Sequence, residues 1–74
     1  MLTKKDFQRV ADMLNSRLDT TRVIIDGVVI PGLVYPEKQG EYDLIMFLAD
    51  EFADWFSDEN PNFNRKLFMD AVIR

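Results

Sequence analysis

Val23-Ile24-Ile25-Asp26-Gly27-Val28-Val29-Ile30-Pro31 is the stretch that decides the fold. Six β-branched residues flank an Asp-Gly pair, and Asp-Gly between apolar runs is the strongest local signal for a two-residue hairpin turn. The spacing predicts a β-hairpin over about residues 22–31, with Ile25 opposite Val28 and Val23 opposite Ile30. Pro31-Gly32 ends the second strand, since proline brings no N–H to the ladder. Leu33-Val34-Tyr35 is placed to extend it after a break, and Pro36 stops it. An isolated hairpin is marginal in water. It must therefore pack on helices or add strands from a second chain.

On either side of this stretch the period changes from two to 3.6. Upstream, Phe7, Val10, Ala11, Leu14 and Leu18 fall on one stripe, predicting a helix over about residues 4–18. Thr3 reads as its N-cap, answered by Asp6 in a variant of the capping box, and Leu2 and Phe7 stand at hydrophobic-staple spacing. Downstream, residues 37–40 read as a loop and residues 41–57 as a second helix, halted before Pro61. Asn64 reads as the N-cap of a third helix over about residues 65–73. Phe63 and Phe68 staple its start, and Leu67, Phe68, Ala71 and Val72 form its inner face. The expected fold is α+β, mainly helical: three helices with a β-hairpin between the first and second. Residues 1–74 make one small domain.

Composition excludes several function classes. There is no Cys and no His, so disulfides, Cys/His zinc sites, imidazole acid–base chemistry and a thiol nucleophile are all absent. The three glycines, Gly27, Gly32 and Gly40, lack any phosphate-loop context. Ser16 and Ser57 have no histidine to activate them. No enzyme constellation is met, and no cofactor is expected. No apolar run approaches the roughly 20 residues of a membrane helix. Met1 to Phe7 carries two lysines without an apolar segment behind them, unlike a secretory signal. A soluble, cytoplasmic protein with no membrane partner is the expectation.

The net charge of −4 is unevenly spread. Residues 41–59 hold Glu41, Asp43, Asp50, Glu51, Asp54, Asp58 and Glu59 and no base. Such a block repels phosphate, so direct nucleic-acid binding is not expected. Asp50, Asp54 and Asp58 recur every four residues, but they lack the alternating ligands and bend glycine of a calcium loop; a solvated helix face is the expectation. On a helical projection at about 100° per residue, Leu44, Ile45, Leu48, Ala49, Phe52, Trp55 and Phe56 span an arc of about 140°. That arc reads as the core face, with Trp55 inside it; a Trp55 that faces a partner is the alternative. Asp43, Asp50, Glu51 and Asp54 share the opposite arc, yet Phe47 falls among them and Met46 at their edge. Either the hairpin folds over Phe47, or Phe47 is an isolated exposed apolar residue of the ordinary kind, or it anchors an interface with an acidic rim.

The ending Phe52-Ala53-Asp54, Asn60-Pro61-Asn62-Phe63-Asn64-Arg65 and Phe68, with the opening Thr3-Lys4-Lys5-Asp6-Phe7, resembles a group of very small, uncharacterised bacteriophage proteins. Those proteins close on a helix, an Asn-Pro-x-Phe-Asp-Arg turn and a short last helix with Phe. The resemblance covers roughly half the chain. Asn64 stands where Asp is usual, the Ala-Cys ending is missing, and residues 22–40 look like an added hairpin. The resemblance implies a fold and a phage origin rather than an activity, and places the protein in the bacterial cytoplasm.

Three functions follow as expectations. The leading one is a non-enzymatic protein-binding module. It would meet a basic protein surface through Phe47, Met46, Asp43, Asp50, Glu51 and Asp54, with association weakened by salt. The alternative is a self-assembling structural or accessory protein, a homo-oligomer joined at the hairpin edge. A further alternative is a nucleic-acid mimic built on the acidic helix.

Overall fold

The computed structural model describes residues 2–74. In chain order it contains helix α1 (Lys4–Asp19), strand β1 (Arg22–Ile25), strand β2 (Val28–Val34), a 3-10 turn (Pro36–Lys38), helix α2 (Gln39–Glu59) and helix α3 (Arg65–Ile73). β1 and β2 form a two-stranded antiparallel hairpin. The fold is the mainly helical α+β arrangement that the periodicity predicts.

Local chemistry explains the element ends. At the start of α1 the Asp6 carboxylate accepts hydrogen bonds from the Thr3 N–H at 2.8 Å and the Thr3 hydroxyl at 3.2 Å. The same bonds hold the Asp6 carboxyl below its ordinary pKa. Asn64 accepts from the Leu67 N–H at 3.1 Å and so caps α3. Asp26 (φ 52°) and Gly27 (φ 77°) both have left-handed backbone, as a two-residue type I′ turn requires.

Three boundaries and faces depart from the sequence reading. First, α2 starts at Gln39 rather than 41 and runs to Glu59. Pro36 begins a 3-10 turn that feeds straight into it. Gln39 then donates to Asp43 at 2.9 Å, so Gly40 is absorbed into the first helical turn. Second, β2 does not end at Pro31-Gly32 but continues to Val34. Ile25 faces Val28 as expected and Ile24 faces Val29 in the same register; the register then shifts between Ile24 and Arg22, which faces Val34, and the expected Val23–Ile30 pair falls in that irregular stretch. Pro31 has no N–H to offer, and the strand accommodates it by bulging rather than stopping. Third, Leu67 faces solvent, while Phe68 and Val72 carry the inner face of α3.

The core is small and aromatic. Phe7, Ala11, Leu14 and Leu18 of α1 meet Ala49, Ala53 and Phe56 of α2 and Phe68 and Val72 of α3. Phe56 sits at its centre, with ring centroids 4.7 Å from Phe7, 5.6 Å from Phe63 and 5.5 Å from Phe68, the last two edge-on. Phe63 and Phe68 approach to 5.6 Å, the staple expected of their spacing.

The hairpin lies outside this core. Its root is anchored: the Tyr35 N–H donates to the Thr21 carbonyl at 3.0 Å, and buried Thr21 donates its hydroxyl to the Leu18 carbonyl at 2.7 Å. Arg22, 1% exposed, sends its guanidinium to the carbonyl oxygens of Ile73 and Arg74 at the end of α3 and to Asp19. Beyond that root the strands contact each other far more than they contact any helix. The molecule is correspondingly elongated, 40 × 22 × 15 Å. Its radius of gyration of 13.1 Å exceeds the roughly 11 Å expected of a compact chain this long.

Candidate interaction surface

α2 carries more apolar surface than the core uses. Its buried side centres on Ala49, Ala53 and Phe56, with Tyr42, Ile45, Met46 and Phe52 packed beside them. Relative to the expected arc, the buried face is turned by about 70°. The cause is geometric: the small residues Ala49 and Ala53 let α1 and α3 approach closely, so the helix seats on them rather than on its largest side chains.

The rotation corrects the reading of three residues. Leu44, Leu48 and Trp55, expected in the core, are exposed, Trp55 by 48%. Trp55 still touches the core, its ring tilted against its neighbours with the centroid 5.3 Å from Phe56 and 6.4 Å from Phe52. Phe47 is 62% exposed, so the hairpin does not cover it. On the helical projection Phe47, Leu44, Trp55 and Leu48 form one outward stripe about 100° wide, and Glu51 lies inside it.

The other residues expected at this surface divide. Glu51 is exposed and has no hydrogen-bond or ion-pair partner among the described residues. Asp43 is exposed on the flank and accepts from Gln39. Asp50 and Asp54 are exposed but paired: Arg65 reaches Asp54 at 2.5 Å and also binds Asp50. These contacts raise the Arg65 pKa, the hydrogen bond to Asp54 first and that to Asp50 second. Met46 faces inward, half-buried against the core. The structure thus brings together Phe47 and Glu51, with Asp43 beside them. It assigns Asp50 and Asp54 to the α2–α3 contact and Met46 to packing. Taken singly, Leu44 and Leu48 carry no sign of surface position in the sequence, and Trp55 takes its alternative, outward place. The available signal was the width of the apolar arc, which with Phe47 included exceeds what two short neighbouring helices can cover.

A concave feature lies elsewhere on the core. A cavity of about 320 Å³ opens between the start of α1, the α2–α3 turn and α3. Phe7, Phe63 and Phe68 form its floor, and Lys4, Gln8 and Asn62 stand at its rim. The size is at the lower end of small-ligand sites. Three of its polar side chains are engaged locally: Asn60 accepts from the Asn62 N–H at 2.9 Å, Asn64 caps α3, and Gln8 donates to Asp12. No pair of titratable groups converges on it. Among the described residues no cluster of acidic side chains is placed to hold a cation, and no helix is long and apolar enough to cross a membrane. Comparison of the chain with known protein families, with curated proteins and with solved structures finds no match.

Proposed function

We propose that this chain is a non-enzymatic protein-binding module whose working surface is the outer face of α2. The observation that carries the reading is the exposure of Phe47 in one stripe with Leu44, Leu48 and Trp55. Large apolar and aromatic side chains surrounded by a polar rim are the usual anatomy of a binding hot spot. Glu51 within the stripe and Asp58 in line with it beyond Trp55, with Asp43 and Glu59 on the flanks, set the sign of the partner: an apolar patch bordered by lysine or arginine. The apolar anchors supply affinity, and the acids supply orientation and encounter rate. Because Arg65 is shared by Asp50 and Asp54 and offsets one of their two charges, the salt sensitivity should be modest. The same pairing weighs against a nucleic-acid mimic, which needs its carboxylates free. On the resemblance of its two ends to small phage proteins, the partner is a host or phage protein met in the bacterial cytoplasm.

The test is affinity capture from bacterial lysate with wild type beside Phe47→Ala and Trp55→Ala, followed by titration of the purified captured protein. Met13→Ala, altering an exposed apolar residue of α1, is the control. A hot spot worth 2 kcal/mol or more predicts a loss of about 30-fold for Phe47→Ala and wild-type binding for Met13→Ala. Captured proteins that bind all four chains equally would refute the reading.

A further inference from the structure

We propose that the hairpin docks on the hairpin of a second copy of this chain, forming a symmetric dimer. Its two faces are both apolar and both open. Ile25 and Val28 are directly opposite each other and project to one face, each more than half exposed, Val28 by 59%. Ile24, also more than half exposed, projects to the other face opposite Val29. Leu33 in the irregular part of β2 is exposed as well. A solvated hairpin ordinarily alternates, with polar residues on its wet side. Here residues 23–34 contain a single charged residue, Asp26, and that one is used in the turn. Beyond Arg22 at the root, no lysine and no inward charge keeps the free edges apart.

Charge selects the occupant. A second copy carries the same −4 and the same acidic α2, so two chains repel along their helices. The nearly uncharged hairpin is the surface on which they meet with least repulsion. A two-stranded hairpin also gains most from such a partner, because four strands with a shared apolar face are stable where two are marginal. A two-fold axis satisfies this directly, since each hairpin presents the same surface to the other. The scale is adequate. A specific interface takes roughly 800 Å² from each partner, about 15% of the 5307 Å² surface. Within residues 22–34, Ile24, Ile25, Asp26, Gly27, Val28, Gly32 and Leu33 are exposed.

This proposal is independent of the α2 reading, and salt separates them. Screening relieves repulsion between like-charged copies, so dimerisation strengthens as salt rises, whereas binding of a basic partner through α2 weakens. The experiment is sedimentation equilibrium of the whole chain from micromolar to near-millimolar concentration, at low and high salt. The expected result is a shift from 8.7 kDa toward twice that mass. Ile25→Lys and Val28→Lys should each weaken association at least tenfold, with unchanged helical circular dichroism at low concentration, and Phe47→Lys should leave it intact. In a mixture of isotope-labelled and unlabelled wild-type chains, intermolecular contacts should appear at the Ile25 and Val28 methyls, which tests the contact without any substitution. A monomer mass throughout would overturn the proposal. So would a dimer indifferent to both hairpin variants, a dimer lost with Phe47→Lys, or intermolecular contacts confined to α2.

Discussion

Truncating Arg22 to alanine should destabilise the fold more than any surface substitution, and the magnitude follows from its contacts. The guanidinium donates to the Arg74 carbonyl at 3.1 Å, to Asp19 at 3.1 Å and to the Ile73 carbonyl. Removing one member of a buried charged pair costs about 3–5 kcal/mol. Two features lower that figure here. The Asp19 side chain is 41% exposed, so water takes over its part. The buried Nε of Arg22 has no partner even in the native state, a cost that truncation removes. About 2–3 kcal/mol remains. In a domain of this size each kcal/mol shifts Tm by about 4–8 °C, so the expected fall is about 10–20 °C. Arg22→Lys should recover less than half of it, because one ammonium cannot span two carbonyls and a carboxylate as a planar fork does. The assay is thermal and urea unfolding followed by circular dichroism at a single low protein concentration, with exposed Arg9→Ala as reference. A fall of under about 4 °C for Arg22→Ala would refute the view that this residue holds α3 in place.

Three further outcomes are expected. Asn15→Ala removes donors to the carbonyls of Val72 at 2.9 Å and Arg74 at 2.8 Å and should cost about 1–2 kcal/mol in the same unfolding assay. The Arg74 carbonyl accepts from both Asn15 and Arg22, so the double variant should depart measurably from additivity. Gly27→Ala meets no steric neighbour but must hold φ at 77°, and should cost about 1 kcal/mol through the backbone alone. Asp6 has a folded pKa below its ordinary 3.8. Its contribution is therefore complete above that value and is lost as pH falls through the lower folded value. Tm measured between pH 5 and pH 2 should drop less steeply in Asp6→Asn than in wild type.

How much of this was legible depends on how local the signal is. The ends of α1 and α3 and the hairpin turn could be read because their determinants lie within five residues of one another: Thr3 with Asp6, Phe63 with Asn64 and Phe68, Asp26 with Gly27. The part of α2's apolar arc that would be buried was not legible. Nothing in residues 39–59 records where α1 and α3 will land, and the choice fell on Ala49 and Ala53 instead of on Leu44, Leu48 and Trp55. Arg22 escaped for the same reason. Its partners on α3 lie 51 and 52 residues away, and as a lone base after a turn it carries no local signature. The bulge in β2 lies between these cases: Pro31 marked a disturbance, but whether a strand stops or bends there is decided by its neighbour. Of the candidate surface, Phe47 stood out because it violates a local pattern. The internal pairing of Asp50 and Asp54 was hidden, because it required the position of Arg65.

The anchoring of the hairpin at its root alone has a kinetic corollary. Amide protons report how often each segment opens to solvent, and segments that open together share one exchange free energy. The Tyr35 amide is tied to Thr21, and Arg22 beside it is tied to the end of α3. Root amides should therefore exchange only when α3 leaves the core, at the slowest rates in the molecule. Amides toward Asp26-Gly27 need only the two strands to part, and should exchange orders of magnitude sooner. One hairpin of thirteen residues would then span nearly the full range of opening frequencies the protein possesses. Any partner that grips the tip would be read most sensitively as a slowing of those fast amides, with the root unchanged.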